Sequence, residues 1–323
     1  MSPLFLLLLH IVQRPARPFL ILAAVIVFAL PGKSAVAISV SLSTGDLRYS
    51  DGQGHTMPYR LYVPPGYNTP GEEFPLIIFL HGSGESGTDN VAPSGQFVDG
   101  LYSAAHGNMG AQYKAFLLVP QTVWGWQDYG PEYPDYVGQD LAMDILNLVI
   151  STYQVDTQRI YITGLSMGGG GTFDFIANYP HTFAAAAPLS GWGDIFTAAI
   201  IKDIPIWAYH GVADTVVSVS YTDEMFDAIE AAGGNMEYTR LEGVGHGGWS
   251  NFYNGTAYKN SKGQTVYEWM FAQSLPIPEP SSATLTAGAL ALGLLCLIRR
   301  KIRIRQQPRP DHHCLSSSSN PAS

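Results

Sequence analysis

From residue 38 apolar and polar positions alternate through residue 47, and they do so again over 59–63, just before Pro64 and Pro65. A period of two puts successive side chains on opposite faces, so both segments read as antiparallel edge strands with one face on a core. The pattern then changes: residues 74–80 (Phe-Pro-Leu-Ile-Ile-Phe-Leu) form an unbroken apolar run, typical of a strand covered on both faces. Similar runs recur at 115–119, 160–163, 183–189 and 204–209, with a last strand at 237–241. Between them, residues 139–153 carry Leu141, Ile145, Leu146, Leu148 and Val149 at helical spacing. Further helices are predicted over 96–105, 172–179, 222–232 and 266–272. Strands alternating with helices of this length predict an α/β fold with a mostly parallel central sheet and helices on both faces, and ligands bind at the carboxyl ends of such strands.

The two ends do not follow this pattern. Residues 19–30 are apolar, preceded by Arg14 and Arg17 and followed by Pro31-Gly32 and Ala35-Val36-Ala37. That is the order of a secretory signal peptide with cleavage after Ala37. An earlier apolar run, residues 4–12, does not fit it and points to a start codon assigned too early. At the other end, Pro278-Glu279-Pro280 leads into sixteen uncharged residues, 283–298, and then Arg299, Arg300, Lys301, Arg303 and Arg305. These three parts in order resemble the bacterial PEP-CTERM sorting signal. The resemblance implies recognition by exosortase-type machinery and export to the cell surface, the extracellular matrix or the periplasm. The tail after Arg305 is longer than such signals usually carry. A helix of sixteen residues rises about 24 Å, somewhat less than the hydrocarbon core of roughly 30 Å, and the flanking arginines would stay cytoplasmic. The expected organisation is therefore a signal peptide at 1–37, one catalytic domain at 38–275 and a sorting signal at 276–323, with membrane attachment through 283–298 at least before processing.

Removing both ends alters the charge. Residues 38–275 hold eight basic and twenty-four acidic side chains, a net charge of −16. Such a surface repels phosphate backbones and excludes nucleic acid as a partner. Both cysteines, Cys296 and Cys314, lie in the tail, so the domain has no disulfide and no cysteine-rich metal site. No metal or other cofactor is expected.

Candidate chemistry centres on Gly164-Leu165-Ser166-Met167-Gly168, which fits G-x-S-x-G at the end of the 160–163 run. This is a nucleophile elbow, a tight strand-to-helix turn that projects the serine hydroxyl above the sheet. Gly170 and Gly171 follow inside the expected helix, where glycine costs about 0.5–1 kcal/mol relative to alanine, so they point to close packing of this helix on neighbouring strands. In this architecture an acid and then a histidine should follow the serine. Asp214 follows the 204–209 strand and His246 follows the last strand, between Gly245 and Gly247, where a flexible backbone would let the ring reach the serine. His246 would take the Ser166 proton, with Asp214 holding the tautomer. Asp194 and Asp203 are alternatives to Asp214, but neither directly follows a strand. The oxyanion donors would be the N–H of Met167 and one from His81-Gly82-Ser83-Gly84, with Ser83 preferred over Gly84. Trp124, Trp126 and Trp192 lie in expected loops and are candidates either for pocket walls or for core. His81 and His210 read as structural residues bonding loop backbone, and Glu85 as loop-bracing or solvated.

FLHGSGESGTDN, DTQRIYITGLSMGGGGTFDF, HGVADTVV and GVGHGGW resemble exported α/β-hydrolases of the feruloyl-esterase and polyhydroxybutyrate-depolymerase type, often grouped with prolyl-oligopeptidase-like peptidases. The resemblance spans residues 59–271 and implies the α/β-hydrolase fold and a serine hydrolase. Its motifs are specific for fold and triad and weak for substrate. Prolyl oligopeptidases carry an additional propeller for which 323 residues leave no room. Esters also need less exact protonation of the leaving group than amides. The expected activity is therefore hydrolysis of carboxylic esters, on small molecules or linked to polymers: feruloyl or acetyl esters of polysaccharides, or short polyesters. A peptidase is the alternative within the enzyme class. A non-catalytic surface binding module is the alternative outside it.

Overall fold

The computed structural model describes residues 47–91, 96–127 and 137–276. The signal peptide, the PEP-CTERM-like motif, the 283–298 span and most of the first expected strand lie outside these residues. Among the described residues no helix is long and apolar enough to cross a membrane.

Among the described residues eight strands make one sheet in the order β1-β2-β4-β3-β5-β6-β7-β8. They are β1 (Leu47–Ser50), β2 (Thr56–Tyr62), β3 (Phe74–Leu80), β4 (Phe116–Pro120), β5 (Val155–Leu165), β6 (Ala185–Leu189), β7 (Ile206–Gly211) and β8 (Met236–Leu241). β2 runs antiparallel to β1 and β4, and every other pairing is parallel. The continuous apolar runs sit in the middle: β3, β4 and β6 are buried along their whole length. β1 and β8, with partly exposed faces, form the edges.

Among the described residues seven helices cover the sheet: α1 (Gln96–Ala105), α2 (Gly138–Thr152), α3 (Met167–Asn178), α4 (Ala198–Ile201), α5 (Val219–Ala231), α6 (Trp249–Tyr253) and α7 (Val266–Met270). Alternate residues of one strand feed opposite layers. Leu76, Ile78 and Leu80 pack with the apolar faces of α2, α3, α4 and α5. Ile77 and Phe79 pack with those of α1, α6 and α7. This is the α/β-hydrolase architecture.

Register aligns the strand ends. Leu80 pairs with Gly164, Leu165 with Leu189, Leu189 with Tyr209, and Gly211 with Leu241. The loops leaving β3, β5, β6, β7 and β8 therefore start from one line across the carboxyl edge, and that line positions the site.

Candidate active site

The elbow is built by contacts that admit no side chain. A Cβ on Gly168 would overlap the Leu80 carbonyl and come within 2.8 Å of the His81 oxygen, so α3 starts directly against the end of β3. Gly169 packs in the same way against the Leu189 carbonyl of β6. Between β5 and α3, Ser166 turns with φ 54° and ψ −119°, a region costing about 1–3 kcal/mol for a residue with a side chain. Its N–H donates to Leu189 O at 2.9 Å, and its carbonyl accepts from Gly170 N–H at 3.0 Å, so the strained turn is pinned from both sides.

Three side chains from three loops meet here. The Ser166 hydroxyl lies 2.9 Å from His246 Nε2, and His246 Nδ1 lies 2.6 Å from Asp214 Oδ2. Because an ionised carboxylate only accepts, Nδ1 carries the proton and Nε2 is left to accept from the serine. Asp214 is held from every direction. Its Oδ1 accepts from the N–H groups of Val216 and Val217, both at 2.9 Å, and its Oδ2 also faces His210 Nε2 at 3.3 Å. Burial pushes this carboxyl up, but the bonds from His246, Val217 and Val216 outweigh it and hold Asp214 below the usual aspartate value. Asp194 instead accepts from Phe196 N–H at a turn, and Asp203, largely exposed, pairs with Lys202. Neither alternative acid enters the cluster.

The β3 loop closes over the nucleophile. A Cβ at Gly82 would stand 2.8 Å from Leu165 Cδ1 and 3.5 Å from the Ser166 Cβ, so the backbone of His81-Gly82-Ser83 runs against the elbow. Ser83 opens a 3-10 turn, Ser83–Glu85, and Met167 is the first residue of α3. The first N–H groups of a helix have no intrahelical acceptor, which leaves the Met167 N–H available beside Ser166.

The family model described as "Putative esterase" matches residues 50–220, just over half of the chain and the part holding the elbow and Asp214. The chain belongs to this esterase family. Carboxylesterase SOBER1 of Arabidopsis thaliana is 29% identical over 195 residues, covering 53% of this chain and 82% of its own. Poly(3-hydroxyalkanoate) depolymerase C of Paucimonas lemoignei is 28% identical over 187 residues, covering 54% of this chain and 39% of its own. The crystal structure of a thermostable esterase matches at a TM-score of 0.58 and 33% identity, covering 71% of this chain and 63% of that one. The chain thus spans less than two thirds of the last two.

In this esterase the three tryptophans take different places. Trp126 is fully buried, its indole N–H donating 2.9 Å to His81 O and its ring edge-on to His81 and Phe175, so it is core and not a pocket wall. Trp124 is half-buried against the α2–α3 core layer. Trp192 is half-buried and lines a cavity of about 270 Å³ with Gln127, Gly170, Phe173 and Asp194, one helical turn along α3 from Ser166. Gly170 and Gly171 are explained here. A Cβ on the first would meet Gln127 and Trp192, so Gly170 makes room for loop side chains; on the second it would meet Trp126 Cβ and, at 3.2 Å, Leu80 Cδ1 of β3, so Gly171 makes room for a loop side chain and for the neighbouring strand that the sequence implied.

Two further contacts brace His246 and Asp214. Trp249, at the start of α6, stands edge-on to the His246 ring at 5.0 Å and donates from its indole N–H to Ser190 Oγ at 2.9 Å. His210 is locked by Thr222 Oγ1 at 2.8 Å and Val217 O at 3.0 Å. The final W of GVGHGGW was a signal for the first contact, and HGVAD for the second. Gly245 and Gly247 have ordinary backbone angles and room for a Cβ, so His246 is held by its bonds instead of being freed by its neighbours.

Burial of His81 should make the fold sensitive to acid. His81 is fully buried, its Nε2 accepts from Thr122 N–H at 3.0 Å, and its Nδ1 donates to Gly82 O at 2.7 Å. Burial pushes its pKa down to about 4, against the pull of the Gly82 bond. Between that value and about 6.5 the unfolded chain binds a proton that the folded state refuses, so stability is full above this window and falls as pH drops through it. At about 1.4 kcal/mol per unit the loss approaches roughly 3 kcal/mol, and His210, also lowered by burial, adds to the slope. Urea unfolding midpoints at pH 7, 5.5 and 4.5 should fall in that order, and less steeply in His81→Gln. Equal slopes for the two proteins would contradict a neutral His81.

Proposed function

We propose that this protein is a serine hydrolase that cleaves carboxylic esters through an acyl-enzyme, with Ser166 as nucleophile, His246 as general base and acid, and Asp214 as the group that holds the His246 tautomer. The observation that carries this reading is His246 bridging Ser166 and Asp214 at 2.9 and 2.6 Å. As Ser166 Oγ attacks the ester carbonyl, its proton passes to His246 Nε2, and Asp214 stabilises the imidazolium. Charge moves to the carbonyl oxygen, where the N–H groups of Met167 and Ser83 are the donors we assign; one such donor is worth about 100- to 1000-fold in rate. His246 then returns the proton to the departing alkoxide. Water attacks the acyl-enzyme by the same route and releases the acid.

Within the esters, the half-buried Trp192 beside the α3 cavity supports an aromatic or short acyl group. Feruloyl or acetyl esters of polysaccharides, and short polyesters, fit this chemistry and the expected export. The signal-peptide pattern and the PEP-CTERM-like tail support secretion or surface attachment, with exosortase-type machinery as the sorting partner.

The test has two arms. A fluorophosphonate should label the purified protein on the peptide containing Ser166, and short-chain nitrophenyl and feruloyl esters should be hydrolysed faster than a prolyl anilide. Absent labelling, or a faster anilide, sinks the ester-hydrolase assignment.

A further inference from the structure

We propose that Glu85 is a positioning residue for the oxyanion donor at Ser83, a role that rests on the serine-hydrolase reading above. Its carboxylate Oε2 accepts from Gly82 N–H at 2.8 Å, and its own N–H donates back to Gly82 O at 3.1 Å. Gly82 O also accepts from His81 Nδ1–H at 2.7 Å, and Glu85 O accepts from Gln121 Nε2 at 3.0 Å. Both peptide groups flanking Gly82 are therefore fixed, one through its N–H and the other through its C=O. In a trans peptide the N–H points opposite to the C=O. Fixing Gly82 O thus fixes the direction of the Ser83 N–H.

The brace has to come from another residue because Gly82 has no side chain of its own, and a Cβ there would press on Leu165 Cδ1 at 2.8 Å. A glycine without a tether is the most conformationally free residue of the chain. The Glu85 carboxylate supplies that tether three residues along, across one 3-10 turn. Its cost is visible: burial pushes this carboxyl up, and the Gly82 bond recovers only part of the loss. Nothing in the proton transfers assigned to Ser166, His246 and Asp214 uses a second carboxylate. The group is explained by the peptide it holds.

The test compares Glu85→Gln, which keeps an acceptor for Gly82 N–H and removes the charge, with Glu85→Ala, which removes both. On a short acyl ester, Glu85→Ala should lose about 10- to 100-fold in kcat, the scale of a donor displaced by about 1 Å, with KM within about twofold. Glu85→Gln should stay within about threefold of the parent. Hydrogen exchange at the Gly82 amide reads the tether without turnover: it should quicken in Glu85→Ala and not in Glu85→Gln. If Glu85→Ala does not fold, Glu85→Met, which keeps the length with only a weak acceptor, replaces it. A folded Glu85→Ala with parental kcat, a loss confined to KM, or an equal loss in both variants overturns the proposal. Failure of the parent itself to label at Ser166 or turn over ester sinks the hydrolase reading instead, and the Gly82 exchange still decides whether Glu85 braces the loop.

Discussion

Asp214→Asn should cut kcat on a short acyl ester by about 10⁴-fold and leave the domain folded. Asparagine has the same shape, and its single oxygen has one good place: Oδ1 accepts from two N–H groups, Val216 and Val217. Turning the amide would aim its own N–H groups at those donors. The NH2 must therefore take the Oδ2 position, facing His246 Nδ1 and His210 Nε2. His246 can answer an N–H donor only by giving up the Nδ1 proton, which moves it to Nε2, opposite Ser166. The base is then in the wrong tautomer and cannot accept from the serine. Steady-state kinetics together with a thermal melt check this. A loss below about tenfold in a folded variant would remove Asp214 from its role, and a collapse in melting temperature would point to packing instead.

Gly168→Ala should be the most damaging methyl group that can be added near the site. The new carbon would overlap the Leu80 carbonyl and crowd that of His81, and both obstacles are backbone, one at the end of β3 where it pairs with Gly164 and one directly after it. Overpacking typically costs about 1–3 kcal/mol where side chains can give way; here they cannot, so the loss should exceed about 3 kcal/mol, against a total stability of 5–15 kcal/mol for ordinary domains. At about 2–4 °C per kcal/mol for a domain of this size, the melting temperature should drop by about 6–12 °C or more, with poor soluble yield. Gly247→Ala, beside the base and with nothing within 4 Å of its Cβ, is the control and should melt with the parent. Equal melting of all three proteins would mean that the elbow is looser than its contacts imply.

The sequence carried the layout of the site because that layout follows from backbone periodicity and chain order. Unbroken apolar runs marked β3, β4 and β6, and a glycine-flanked serine followed by an aspartate and a histidine after successive strands is brought together whenever those strands are parallel and end in line. It could not carry what depends on which loop residue turns inward. Trp126 and Trp192 are equivalent in composition, yet Trp126 packs under the β3 loop against Gly171 and Trp192 stands beside a cavity. α6 has five residues, too few for a 3.6-residue period to register, although its first residue touches His246. β1 is described from residue 47 onward, where only Leu47 and Tyr49 turn partly inward, a pattern too brief to stand out. Glu85 reads from the sequence as loop-bracing or solvated; the structure makes it the former, and the peptide it braces, Gly82, depends on a side chain folding back across a short turn.

The order of the three side chains along the chain also sets a timetable. Ser166 and His246 are 80 residues apart, and the base leaves β8, the last strand and an edge of the sheet. At a synthesis rate of about 5–20 residues per second, the serine emerges from the ribosome roughly 4–16 s before the histidine we assign as its base. During that interval the elbow holds an ordinary alcohol. With those proposed roles, Ser166 has no base until β8, the last described strand, has docked, so completion of the fold would also be the switch that arms the nucleophile.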